Sequence, residues 1–411
     1  MTNKLLSLWL VFILLPIFFM RVIDDEAVYY CNIKKYILNP GIPYRSQLSI
    51  LILGIPLRIY DSIISIRVVN ALIVLATALI IKRMRNEQAA IIFLFTFSTL
   101  RWGARVNYEP LATLFFILSM NYLREDRLAE ATALMLMASL SRTTFLPLLI
   151  YLILLWIIRS ESRAIHLIAV PLVIVALYLS KYVIRVYLPA SLSNITRAEF
   201  YPITIRNLLE YFITSPLLIL SLRNMKETSR QERILFLLLL LSIIMIPAFT
   251  YNGPFERYTI PLTAMLSLYF PRINRKQFAI IIALQFIILN LGVLYLSTSG
   301  ANSIYDFGYR YNRQIIDILR QIPENETITG FHGGLVRQKN WHWCDRNITC
   351  YEQGDWIVIY QSWITGEIRG AETMKIGRYL IIHKTSPNFT LPARCRTLWR
   401  FREDRRELVT G

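Results

Sequence analysis

Long apolar runs separated by short charged linkers recur through the first 296 residues, and this pattern limits what the chain can fold into. In a bilayer every backbone amide has to be paired within its own segment, so such runs are read as helices. They fall at about 4–22, 63–81, 89–102, 110–123, 130–141, 145–158, 164–188, 206–222, 234–249, 258–270 and 278–296. Several are shorter than the roughly 20 residues of an upright span, so their ends are soft. After Leu296 the apolar character gives way to a polar, aromatic-rich tail. The expected fold class is therefore a polytopic α-helical membrane protein of about eleven transmembrane helices, with a small external α/β C-terminal domain. The expected domains are 1–296 in the membrane and 297–411 outside it. With 55% hydrophobic residues a soluble globular chain is a poor reading.

Charge sets the orientation. The linkers at 82–88, 124–130, 159–163, 223–233 and 271–277 are short and basic-rich, and all lie on one side if the N-terminus is cytoplasmic. The first outer loop goes against this bias, because it also carries Lys34, Lys35, Arg45, Arg58 and Arg67. The first run starts at Lys4 and lacks a small-residue cleavage site, which reads as a retained anchor. Leu48–Tyr60 is too short to span and contains Gly54, Pro56 and Arg58, so it reads as an interfacial or re-entrant helix. Ala131–Ile158 is broken by Ser141-Arg142-Thr143-Thr144 and Pro147 and reads as a hairpin with an outer tip. A net charge of +18 fits basic linkers against anionic lipid, and no recognition helix or zinc spacing supports nucleic acid.

Sequons and cysteines give an independent test of this parity. Glycosylation acceptors occur at Asn194, Asn325, Asn347 and Asn388, and all fall outside, as do Cys31, Cys344, Cys350 and Cys395. An oxidising outer face would permit a Cys344–Cys350 bridge, and a Cys31–Cys395 bridge is conceivable. In the tail, helix is expected at Tyr311–Gln321 and strands at Thr327–Phe331, Trp356–Tyr360 and Tyr379–His383.

Folded this way, the unusual polar residues collect at the outer face. They are Asp24, Asp25, Glu26, Tyr29 and Tyr30, then Arg101, Arg105, Asn107, Tyr108 and Glu109, then Arg142, and finally Glu256, Arg257 and Tyr258. Carboxylates at a membrane lip are costly to desolvate, so their clustering with arginines marks a polar site. An acid there can take a proton from an acceptor hydroxyl, and arginine can hold a departing phosphate. Singly, each residue also has a plainer reading. Asp24–Glu26 could be a solvated helix end, Glu109 before Pro110 a helix-dipole partner, and Arg142 and Arg257 snorkelling lip residues. Clustered carboxylates such as Asp24 and Glu26 could also take a divalent cation, though nothing in the sequence demands one, and no cofactor is certain. No HExxH and no phosphate-binding Walker loop is present.

The segments DDEAVYY, SIRVVNALIVLATALIIKRM, ARVNYEPLATLFFILSMNYL, ASLSRTTFLPLLIYLILL and ERYTIPLTAMLSLYF resemble, in order, the GT-C superfamily of membrane glycosyltransferases. The resemblance is strongest to the branch of the protein O-mannosyltransferases and lipid A aminoarabinose transferases. It covers about residues 1–270, through short and degenerate motifs. It implies that Asp25 and Glu26, with Asp24 beside them, match the Asp-Glu pair that supplies the acceptor-activating base. Glu109 matches the second acid, which is aspartate in many relatives. Arg142 matches the basic turn residue, and Arg257-Tyr258 the late pair near the donor phosphate. Arg105 and Tyr29 are grouped with them as substrate-binding candidates. The WWDYG signature of oligosaccharyltransferase catalytic subunits is absent.

The expected function is thus inverting transfer of a sugar from a polyprenyl-phosphate donor to a hydroxyl or amide acceptor at the outer face. The acceptor would be a lipid-linked glycan, a lipid or a protein. The membrane would be the plasma membrane of an archaeon, or the endoplasmic reticulum membrane of a eukaryote. Two other readings compete. A lipid or polysaccharide transporter would show mid-span ionisable residues and repeat symmetry, and only Glu210 comes near that. A glycan ligase or polymerase would have a larger late outer loop than Thr250–Arg257.

Overall fold

The structure is a computed structural model. It describes residues 24–38, 46–159, 218–249, 255–284, 310–330, 340–344, 348–377 and 379–393, with isolated positions such as Trp9 and Ile17 besides. The chain forms two compact units. One comprises Met1–Phe19 and Ile33–Tyr305, the other Met20–Asn32 and Asp306–Gly411.

The described helices, numbered in chain order, begin with α1 (Asp24–Leu38), α2 (Gln47–Ile59) and α3 (Ile63–Met84). Helix α2 is the short Pro56-containing segment expected at 48–60, and Leu51, Ile55 and Ile59 are exposed along it. In α3 the Ser62 side chain accepts the Ile64 amide at 3.3 Å and so caps the start. Its buried positions, among them Arg67, Asn70, Val74, Thr77 and Ile81, recur at spacings of three and four and mark the inward stripe, while Leu72 and Leu79 face out. At 22 residues it is the one helix, among those described, both long and apolar enough to cross a membrane. Arg67 is therefore no loop charge. It is fully buried in this stripe, where Nη1 donates to the Ile17 carbonyl at 3.0 Å.

The run expected to form one helix at 89–102 is instead two, α4 (Glu87–Phe95) and α5 (Phe97–Trp102). Thr96 is extended between them, and its hydroxyl donates to the Phe93 carbonyl at 3.0 Å. Both pieces are buried nearly throughout. An apolar run reports burial, not continuity, and burial on all sides tolerates the break. Next come α6 (Glu109–Arg124) and α7 (Leu128–Ser141), packed closely and joined across by Ser119, whose hydroxyl donates to the Ala131 carbonyl at 2.6 Å. Arg142 is extended and leads through a 3-10 turn (Thr143–Phe145) into α8 (Leu146–Arg159), which packs back on α7. Further described helices of this unit include α9 (Leu218–Asn224), α10 (Arg230–Phe249) and α11 (Ile260–Ser267), the last preceded by a 3-10 turn at Phe255–Thr259. Two linkers far apart in sequence are clasped. The Gln88 side-chain amide donates to the Ile273 carbonyl at 2.7 Å and accepts the Ile273 amide at 3.0 Å.

The second unit holds a five-stranded sheet in the order β2-β1-β3-β5-β4. Its strands are β1 (Ile328–Gly330), β2 (Trp341–Trp343), β3 (Trp356–Tyr360), β4 (Ala371–Ile376) and β5 (Tyr379–Lys384). Strand β1 runs parallel to β2 and β3, whereas β5 is antiparallel to β3 and β4. Helix α12 (Arg310–Leu319) supplies Ile315 and Leu319 to the core on one face. On the other face lie Tyr351 of the short helix α13 (Ile348–Tyr351), Ile357, Ile359, Trp363 and Cys344, which is disulfide-bonded to Cys350. Strand β4 escaped sequence reading because it is an edge strand whose middle residues, Glu372 to Lys375, are all exposed. An edge with both faces wet carries no alternation to read.

Candidate active site

The approach to α6 is pinned by two asparagines. Asn107 donates from its side chain to the carbonyls of Trp102 (2.7 Å) and Arg105 (2.9 Å) and accepts the Glu109 amide on Oδ1 at 3.1 Å. Asn70, one step along the buried stripe of α3, donates to the carbonyls of Arg105 (2.7 Å) and Asn107 (3.1 Å). The loop thus folds around its own amides, and with Pro110 in the first turn it starts the helix at Glu109. That places the Glu109 carboxylate at the positive end of the helix dipole, almost fully buried.

Arg142, held extended between α7 and α8, reaches Glu109 with Nη2 to Oε1 at 2.9 Å. The contact has ion-pair distance without hydrogen-bond direction, and neither Glu109 oxygen has a hydrogen-bond partner among the described residues. The Arg142 guanidinium also lies over the Tyr258 ring at 5.1 Å. Arg257 lies over the same ring at 4.7 Å, and its Nη2 donates to the Tyr258 hydroxyl at 2.7 Å. Arg257 is further within 5.7 Å of the Trp102 ring, which Arg101 and Arg105 approach at 5.9 Å each. Two aromatic rings therefore organise four guanidinium groups, three of them almost fully buried. Aromatic faces offset part of the cost of burying cations, by about 1–2 kcal/mol for each desolvated pair. Chemically, the cluster combines one buried carboxylate with several rigid forks of donors, an arrangement suited to a multiply charged oxyanion.

Of the residues singled out from sequence, Glu109, Arg142, Arg257, Tyr258 and Arg105 thus stand together in the first unit. Arg105 enters both through its carbonyl, which accepts from Asn70 and Asn107, and through its guanidinium, whose Nε donates to the Arg101 carbonyl at 3.2 Å. The acidic triplet forms the first turn of α1, in residues that belong to the second unit. Glu26 is fully buried and Tyr29 half-buried, while the side chains of Asp24 and Asp25 lie outside the described residues. Among the described residues no group of three His, Cys, Asp or Glu is placed to hold a metal. Asn325 and Asn388 are exposed; Asn194, Asn347 and Cys395 lie outside the described residues. Sequence reasoning missed Asn70 and Trp102. A lone asparagine in the apolar stripe of α3 was the available signal for the first, and an indole closing an apolar run gave none for the second.

Solved structures share this architecture. ArnT from Cupriavidus metallidurans, in the apo state, superposes with a TM-score of 0.57 over 92% of this chain and 97% of its own, at 10% identity. The same protein bound to undecaprenyl phosphate gives 0.54 over 94% and 98%, at 9% identity. This chain shares the fold of these ArnT structures. No family model matches the sequence, and no curated relative does. At such identity the likeness to ArnT is one of fold. It agrees with the resemblance to aminoarabinose transferases drawn from the short motifs. Those counterparts are polytopic membrane proteins, and this chain shares with them a mostly helical architecture with a sheet unit.

Proposed function

We propose that the chain is an integral membrane glycosyltransferase that moves a sugar from a polyprenyl-phosphate donor to a hydroxyl or amide acceptor at the outer membrane face. The observation that carries this reading is the buried Glu109–Arg142 contact standing beside Arg257 and Tyr258 in a GT-C fold. ArnT, of the same fold, has been solved bound to undecaprenyl phosphate, a ligand of the proposed donor class.

In this reading the acceptor atom, a hydroxyl oxygen or an amide nitrogen, attacks the anomeric carbon while the bond from that carbon to the phosphate oxygen breaks, and the configuration inverts. The acceptor proton passes to the Asp25 carboxylate, with Glu26 and Asp24 beside it. The electron pair of the broken bond leaves on the lipid phosphate, whose charge Arg257 and Arg142 stabilise. Glu109 holds Arg142 in place without neutralising it through a full hydrogen bond. The N-terminus is cytoplasmic and the sheet unit external, which exposes Asn325 and Asn388 for glycosylation. The test is transfer from a panel of labelled polyprenyl-phosphate sugars in membranes. Asp25→Asn, at normal membrane level, is expected to lose roughly a thousandfold in rate, as removal of a general base does. Unchanged transfer by that variant sinks the assigned base.

A further inference from the structure

Helix α6 runs from Glu109 to Arg124, about 22 Å at ~1.5 Å per residue, so its far end is remote from the site above. There a cavity of about 770 Å³ opens, lined by residues from four linkers, among them Arg85, Arg124, Asp126, Ser229, Glu232 and Arg272. Its volume is that of a small-ligand site. Two carboxylates belong to its wall, and each is already matched. Arg124 donates from Nε to Glu232 at 2.6 Å, and Arg159 reaches Asp126 at 3.2 Å. Arg85 spends only its Nε, on the Phe270 carbonyl at 3.4 Å. Arg272 makes no hydrogen bond or ion pair among the described residues. Two guanidinium groups at the rim are thus left without a carboxylate. Also in the wall, the exposed Ser229 hydroxyl accepts the Glu232 amide at 3.3 Å, which leaves its own proton to donate. The first turn of α10 follows directly.

We propose that this cavity binds a phosphate group, held between Arg85 and Arg272 over a floor set by the Arg124–Glu232 pair. Paired guanidinium forks with a hydroxyl donor match the several oxygens and the charge of a phosphate. The rim sits among the basic linkers, where either an anionic phospholipid headgroup or a free phosphate can supply that group. The site is distinct from the one proposed for the donor and does not depend on it.

The test uses the full chain in phosphatidylcholine nanodiscs, alone, with phosphatidylglycerol mixed in, or with inorganic phosphate titrated. The readout is the melting temperature, which a ligand of the folded state raises by mass action. A rise with phosphatidylglycerol alone assigns the headgroup, and a rise with inorganic phosphate assigns the free anion. Either supports the proposal if R85A/R272A abolishes it, corresponding to an affinity at least about tenfold weaker. Both side chains are exposed and neither pairs with an acid, so the double variant keeps the fold. Lys82 and Arg83 are equally basic, exposed and outside the cavity wall, so K82A/R83A must leave the rise intact. No rise with either ligand overturns the proposal. So does a rise that survives in R85A/R272A, or one lost equally in K82A/R83A.

Discussion

At the N-terminal end of α6 Glu109 faces Arg142 at 2.9 Å, and at its C-terminal end Arg124 meets Glu232 at 2.6 Å. Composition does not separate these contacts, since each pairs one arginine with one nearly buried carboxylate. Geometry does. Arg124 and Glu232 form a true hydrogen bond, and the helix start at Ser229 supports the acid from behind. The Glu109 contact lacks hydrogen-bond direction, and its arginine is shared with an aromatic face. The hydrogen-bonded pair locks two elements together, whereas at the other end a buried carboxylate keeps both oxygens without a hydrogen-bond donor among the described residues. A carboxylate buried in that state beside several cations is the better place for bond-making chemistry.

Substitutions can break that distinction. Glu109→Gln is expected to cut sugar transfer about a hundredfold, the scale of a lost charge-assisted contact, with only a small fall in melting temperature. If transfer survives and the protein melts early, the two ends are alike and the contrast fails. Arg124→Ala should behave oppositely. It leaves Glu232 buried without its cation, so stability should drop by about 2 kcal/mol, with the rate per folded molecule unchanged; a denaturant titration beside the transfer assay measures both. The figure is kept modest because the Arg124 side chain is 29% exposed and water can reach the pair. The smallest effect is expected midway along the helix. Ser119→Ala removes one buried bond to α7 and should cost about 1 kcal/mol without touching transfer, which calibrates the other two.

How much of this was legible in the sequence differs between the two ends. Glu109 could be picked out because an acid before a proline at the head of an apolar run is a helix start. Arg142 could be picked out because Ser-Arg-Thr-Thr interrupts an apolar stretch at a turn. Span parity put both at one outer face, and the resemblance to GT-C proteins then gave them roles in one site, since no local rule joins positions so far apart. The Arg124–Glu232 pair was invisible for the same reason. Its members are 108 residues apart, in linkers that composition marks only as charged. Arg67 was counted with the first outer loop because a cation close to the start of an apolar run looks like a loop charge, whereas the carbonyl it meets belongs to another segment. In the sheet unit the buried strand β3 was read to the residue, since Trp356–Tyr360 is an apolar run, whereas the polar edge strand β4 was not.

The clasp between Gln88 and Ile273 has a consequence for how the chain is made. Its two members are 185 residues apart, so at ~5–20 residues per second the ribosome takes roughly 10–40 seconds to deliver the second after the first. When Ile273 arrives, both hydrogen bonds can close together. Under the proposed membrane topology, a late helix inserted the wrong way round would carry Ile273 to the opposite face, and the clasp would not form. In that reading a single side chain checks the orientation of a helix made long after it.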